Sequence, residues 1–170
     1  VDGHLDLTRA SAAGFTGGLF ALFIPNSAAG EELSGGQPPS YEDASVICAD
    51  MLALADEMVA RFGDNIAKCL TVSDILAAQD ASKIAMVLHI EGAEMISADC
   101  HEIEMLYQRG IRSLGPLWSR PNLFGEGVPL QFPGSPDQGD GLSDAGKRLV
   151  RTCNHYGIML DLSHLNEKGF

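Results

Sequence analysis

Ile84-Ala85-Met86-Val87-Leu88-His89-Ile90, running directly into Glu91, is the stretch whose reading decides the fold. It is short, almost wholly apolar and rich in strand formers, and it stops on a carboxylate. Two further segments share this design. Val1-Asp2-Gly3-His4-Leu5-Asp6 opens the chain, and Ile158-Met159-Leu160-Asp161-Leu162-Ser163 runs into His164 near its end. Short β-type runs that finish on a carboxylate or an imidazole suit a parallel barrel, whose strand bodies are packed core and whose chemistry collects where the strands emerge.

Outward from these segments, strand and helix patterns alternate. Phe15–Ile24 reads as a strand closed by Pro25-Asn26, and a Gly/Ser/Pro-rich loop spans 27–40. Tyr41–Arg61 carries Val46, Met51, Leu54 and Met58 near helical spacing, and Phe62-Gly63-Asp64 ends it. Thr71 begins a shorter helix to Gln79, and another covers Ala98–Gln108. Gly110–Trp118 is a strand with its exit, followed by a loop over 119–141 that is too long for a simple connector. Ser143-Asp144-Ala145 opens a helix that reaches Tyr156, with Gly157 at its C-terminal side. Alternation of this kind implies parallel pairing with right-handed crossovers, in one domain over 1–170 that is either a small open sheet or the larger part of an eight-unit barrel; Glu91, Trp118 and His164 at strand exits favour the incomplete barrel.

Composition narrows the function. The chain is 45% hydrophobic and 20% charged, with a formal net charge of −12. That charge argues against nucleic acid or an anionic membrane surface as partner. No apolar stretch approaches the ~18 residues of a membrane span, and no basic region followed by an apolar one opens the chain. Neither GxGxxG nor GxxxxGK[ST] is present to cradle phosphate. Cys48, Cys69, Cys100 and Cys153 are widely spaced without a CxxC pair, so reduced, buried thiols are expected, in keeping with a cytoplasmic setting. The chain opens at Val1 without an initiator Met and stops at Phe170 as a helix begins, so both ends are expected to be cut.

The candidate site residues each have a plain structural alternative. His4 and Asp6 stand two apart, so on a strand both would point the same way and could clamp a divalent ion; alternatively they are a polar chain end. Only eight residues separate Asp6 from Phe15, whereas a parallel crossover needs about a dozen or more. Glu91 ends an apolar strand, where an ionised carboxylate is costly unless paired or bound to a cation. His164 is a metal-ligand type or a hydrogen-bonded structural histidine. His89 lies on the face of Glu91 but one layer deeper, and reads as an interior polar residue. Asp161 suits a structural role.

Asp2-Gly3-His4-Leu5-Asp6, Gly17-Gly18-Leu19-Phe20, Ile90-Glu91-Gly92-Ala93-Glu94, Arg112-Ser113-Leu114 and Asp161-Leu162-Ser163-His164, taken in this order, resemble the membrane (renal) dipeptidase family of the amidohydrolase superfamily. Trp118-Ser119-Arg120-Pro121-Asn122-Leu123-Phe124-Gly125 is similar to a bacterial branch of it. The resemblance implies an α/β fold, namely part of a (β/α)8 TIM barrel of a metal-dependent hydrolase, covering strands one to five with the first crossover helix missing. It implies two Zn²⁺ ions in the full-length site, with His4 and Asp6 on one ion, Glu91 bridging and His164 on the second. It implies substrate contact from Trp118, at an exit where better-known members carry a His, and from Asn122 in the same loop. The activity implied is cleavage of dipeptides or similar short amides by metal-activated water. The chain by itself is expected to be inert and, with strand edges unpaired, to self-associate as a homo-oligomer or to be partly unfolded. The alternative is a non-catalytic partial-barrel binding module or an inactive remnant.

Overall fold

The computed structural model describes residues 3–26, 38–130 and 132–170. Most of the loop expected over 27–40 therefore lies outside the described residues. The element order is α1 (Leu7–Ala12), β1 (Gly17–Phe23), α2 (Tyr41–Phe62), β2 (Ile66–Lys68), α3 (Val72–Asp80), β3 (Ile84–Glu91), α4 (Glu102–Gln108), β4 (Ile111–Gly115), α5 (Asp144–Tyr156) and β5 (Met159–Leu160). All strand pairings are parallel, in the order β1-β3-β4-β5.

β3 is the hub because both of its edges are used. Along one edge β1 matches Ala85–Glu91 residue for residue. β2 takes Ile84–Met86 and β4 takes Leu88–Glu91, so these two share the other edge end to end. Between Leu88 and His89 the register with β4 shifts, and Arg112 becomes the extra residue. Its guanidinium stacks over the Tyr107 ring and donates to the carbonyls of Leu70, Tyr107 and Ile111. Beyond the shift, Ser113 stands opposite His89 and Gly115 opposite Glu91.

Alternation along β3 sorts its side chains between two environments. Ile84, Met86, Leu88 and Ile90 join Leu22 of β1, Ile24 just past it, Ile111 and Leu114 of β4, and the buried faces of α2, α4 and α5. Ala85 and Val87 face the other way, in a small cluster with Cys69 and Ala78. His89 and Glu91 continue that second face towards the strand exit. α2, α4 and α5 thus cover one face of the sheet, and α3 contributes Ala78 to the smaller cluster on the other.

Local chemistry fixes the helix ends. Ser40 and Ser143 accept from backbone amides as N-caps of α2 and α5, and Thr71 with Asp74 forms a full capping box on α3. Gly157 closes α5 at φ 69°, the left-handed position that a side chain would strain. α4 starts at Glu102, later than Ala98, because Cys100 adopts φ 60° and interrupts any earlier turn.

Three further expectations change. Val1 and Asp2 lie outside the described residues, and no strand forms over the described residues 3–7: Gly3 and His4 form a bend, and α1 begins at Leu7. The physical reason is Asp6, whose carboxylate caps α1 by accepting the Arg9 amide at 2.8 Å and also pairs with the Arg9 side chain. His4 and Asp6 therefore do not share a strand face. β2 was not expected, being only three residues long. The last strand stops at Leu160 instead of Ser163, because the Asp161 side chain accepts the Ser163 amide and turns the chain.

Candidate active site

Glu91 leaves the C-terminal end of β3, and His164 follows the turn after β5, with β4 between them. His164 Nε2 lies 3.2 Å from Glu91 Oε1, and both side chains are partly open to solvent. On its other nitrogen, His164 Nδ1 lies 2.9 Å from the Ser119 hydroxyl. His164 adopts φ 66°, uncommon for a residue with a side chain, and its carbonyl accepts the Val128 amide at 2.9 Å. That bond ties the 119–141 loop to the histidine. If Nδ1–H donates to Ser119, Nε2 presents a lone pair to a carboxylate oxygen, an arrangement that requires a proton or a cation between them.

The layer beneath is a polar network of His89, Ser113 and Asp161. His89 is buried, with Nδ1 2.9 Å from Ser113 Oγ and Nε2 3.4 Å from Asp161 Oδ2. Burial pushes the His89 imidazole below its ordinary range, against the opposing pull of the Asp161 and Glu91 charges. Burial also raises the Asp161 carboxyl, but bonds from the Ser163 amide and hydroxyl and the charges of His89 and His164 outweigh this and hold it low. His89 is thus an interior residue held by its neighbours.

Trp118 forms the wall beside the pair. It is 8% exposed, with its ring centroid 4.9 Å from that of Phe23 and 6.0 Å from that of His164. Asn122, expected to touch substrate, uses its amide within the loop: Nδ2 donates to the Pro116 carbonyl at 2.9 Å and Oδ1 accepts the Phe124 amide at 2.8 Å. It also lines a cavity of about 310 Å³ together with Tyr41, Glu94, Ile96 and Pro121.

Of the four expected metal-facing residues, the fold brings Glu91 and His164 together. His4 is exposed before α1, and Asp6 is occupied by Arg9. Among the described residues no group of three or more His, Cys, Asp or Glu side chains converges as a metal cage. Sequence reading missed Ser119, Glu94 and Arg120. The signal available for Arg120 was a lone cation inside an apolar, Pro/Gly-rich exit loop.

A parallel α/β sheet with a carboxylate and an imidazole meeting at its C-terminal rim matches the wall of a (β/α)8 barrel. The profile described as "Membrane dipeptidase (Peptidase family M19)" matches residues 1–170, and the chain belongs to that family. It is 40% identical over 178 residues to an uncharacterised protein encoded in the PQQ-III 3′ region of Acinetobacter calcoaceticus, covering 99% of this chain and 55% of that protein. It is similar to a metallopeptidase of Rhodobacter sphaeroides solved with a phosphinate mimic of the dipeptide L-Ala-D-Ala. The TM-score is 0.89 and the identity 42%, over 98% of this chain and 51% of that one. A second solved structure, a metallopeptidase called dipeptidase AC, matches with TM-score 0.89 and 43% identity, over 98% and 49% of the two chains. The chain thus spans about half the length of these relatives.

Proposed function

We propose that this chain forms part of the active site of a zinc-dependent dipeptidase, and that Glu91 and His164 face the metal. The observation that carries the reading is their 3.2 Å approach at the strand exits, oxygen to nitrogen, with Ser119 behind the imidazole. Membership of a dipeptidase family supports the reaction class, and the dipeptide mimic bound to the Rhodobacter relative supports the substrate class.

The donor set fits a divalent cation. A carboxylate and an imidazole are both zinc ligands, and the Ser119 contact is the kind of outer partner that orients a ligating histidine. Glu91 and His164 would hold Zn²⁺, which when bound would make a water acidic enough to give a nucleophile for an amide at neutral pH. Glu91 would offset the cation's charge, and His164 would present Nε2 from a ring held on one side by Ser119 and on another by Trp118. Trp118 and Phe23 shield that edge from water. Asn122 shapes the exit loop and one wall of the adjoining cavity. His4 and Asp6 would join only if Asp6 released Arg9.

One observation favours the second reading, a non-catalytic partial barrel: the absence of a third converging ligand among the described residues. Zinc content and dipeptide turnover of the full-length protein and of the 170-residue chain separate the two. We expect chelator-sensitive hydrolysis by the full-length protein and none by the 170-residue chain. A full-length protein that neither binds zinc nor cleaves dipeptides would sink the proposal. Zinc content unchanged by His4→Ala would show that the segment before α1 contributes no ligand.

A further inference from the structure

Arg120 is a buried cation that the proposed chemistry does not use. Its side chain is 6% exposed and that of its partner, Glu94, 5% exposed. The guanidinium distributes its donors over three separate acceptors. Nε donates to Glu94 Oε1 at 2.8 Å, Nη1 to Asn26 Oδ1 at 2.6 Å and Nη2 to the Ile24 carbonyl at 2.7 Å. Those acceptors lie just beyond β1 and just beyond β3, while Arg120 itself sits in the exit loop of β4. One side chain therefore joins three neighbouring strand exits.

Its plane also touches the ring wall. The guanidinium carbon is 5.6 Å from the Phe23 centroid and 5.4 Å from the Trp118 centroid. Trp118 in turn lies against His164, and Ser119, next in sequence, touches His164 Nδ1. Glu94 Oε2 has no hydrogen-bond partner among the described residues, so the carboxylate meets Arg120 through one oxygen only. A buried, singly bonded pair of this kind is a poor stabiliser, since desolvation offsets most of the attraction. Its geometric consequence is what distinguishes it.

We propose that Arg120 is a positioning residue: its three-way fork fixes the β1, β3 and β4 exits and, through Trp118 and Ser119, sets the place of the His164 ring opposite Glu91. The inference rests on the reading of Glu91 and His164 as the metal-facing pair. Lysine keeps the charge but not the planar fork, so it cannot reach the three acceptors together.

The test uses signals native to the chain. Trp118 is the single tryptophan, and the five histidines are separable by long-range ¹H–¹⁵N spectra of their rings. In Arg120→Lys and Arg120→Met, Trp118 emission should shift to the red, acrylamide quenching should rise severalfold, and the His164 ring signals should move. Those of His101 and His155 should stay in place. Asn26→Ala, which removes one of the three acceptors, should give a smaller shift in the same direction and keeps the test open if Arg120→Met does not fold. Ile103→Val, a buried change in α4 that alters none of the Arg120 acceptors, controls for lost stability. Unchanged Trp118 and His164 signals in Arg120→Lys would overturn the proposal. So would equal movement of every histidine in Arg120→Lys and Ile103→Val. Zinc added to the wild-type chain reports on the underlying reading separately: if Glu91→Gln alters no zinc response but Arg120→Lys moves His164, the metal reading fails and the positioning role stands.

Discussion

The imidazole of His164 and the carboxylate of Glu91 meet at 3.2 Å although they lie 73 residues apart in the chain. They come from β3 and the turn after β5, two strands away, with Gly115 of the intervening β4 in register with Glu91. If the pair faces a metal, Glu91→Gln should abolish dipeptide hydrolysis in the full-length protein and lower its zinc content, because the amide keeps the shape and removes the charge. Full turnover by that variant would rule the role out.

Ser119 gives a finer test. Its hydroxyl is the partner of His164 Nδ1, and loss of such an outer partner costs about 10–100-fold in metal affinity. Ser119→Ala should show that loss in a zinc titration of the full-length protein, with folding intact. Unaltered affinity would mean that His164 is oriented by Trp118 alone.

His89 links the layer beneath the site to pH. Burial holds its imidazole below the ordinary value of 6.5, so the unfolded chain takes up a proton more readily than the folded one. Its contribution is therefore complete above about pH 6.5 and is lost as pH falls through the lower folded value. Urea midpoints measured downward from pH 6.5 should drop less steeply in His89→Gln than in wild type. Parallel slopes would show that His89 does not govern the acid side.

The four cysteines should be chemically silent in the folded chain. Burial pushes the Cys153 thiol up to about 12 and Cys48 up to about 11, and raises Cys69 and Cys100. The thiolate is the reactive form, so a disulfide reagent at pH 8 should label none of them until denaturant is added. Rapid labelling of Cys153 in native conditions would mean that α5 is not packed as described.

Gly127 tests the exit loop. It adopts φ 71°, and a Cβ placed there would lie 2.2 Å from the Trp118 carbonyl oxygen and 2.9 Å from that of Arg120. Gly127→Ala should cost about 1–3 kcal/mol in urea unfolding and disturb Trp118 emission. A variant as stable as wild type, with the same emission, would contradict this loop path.

Much of the fold was legible in the sequence because its signals are local. The apolar run Ile84–Glu91, the helical spacing of Tyr41–Phe62, and the caps at Ser143 and Gly157 each work within a few residues. β2 escaped because three residues carry no period, and it is a strand only because Ile84–Met86 offers it an edge. The opening segment misled for the opposite reason. His4-Leu5-Asp6 has strand-like alternation, yet Asp6 finds Arg9 three residues on, and the cap prevails over the strand.

The sequence by itself determined the parallel α/β class, the family resemblance and the residues at the strand exits, since apolar runs ending in Glu91 and near His164 can be read along one dimension. It also determined that the cysteines are spaced without a metal-binding pair. Only the tertiary structure decided which exit residues meet. Glu91 with His164, His89 with Ser113 and Asp161, and Arg120 with Ile24, Asn26 and Glu94 are contacts between segments tens of residues apart. Their partners are set by strand order and register, above all by the shift at Leu88/His89 that aligns Ser113 with His89. A register of this kind arises from packing both sheet faces at once, and no local pattern encodes it.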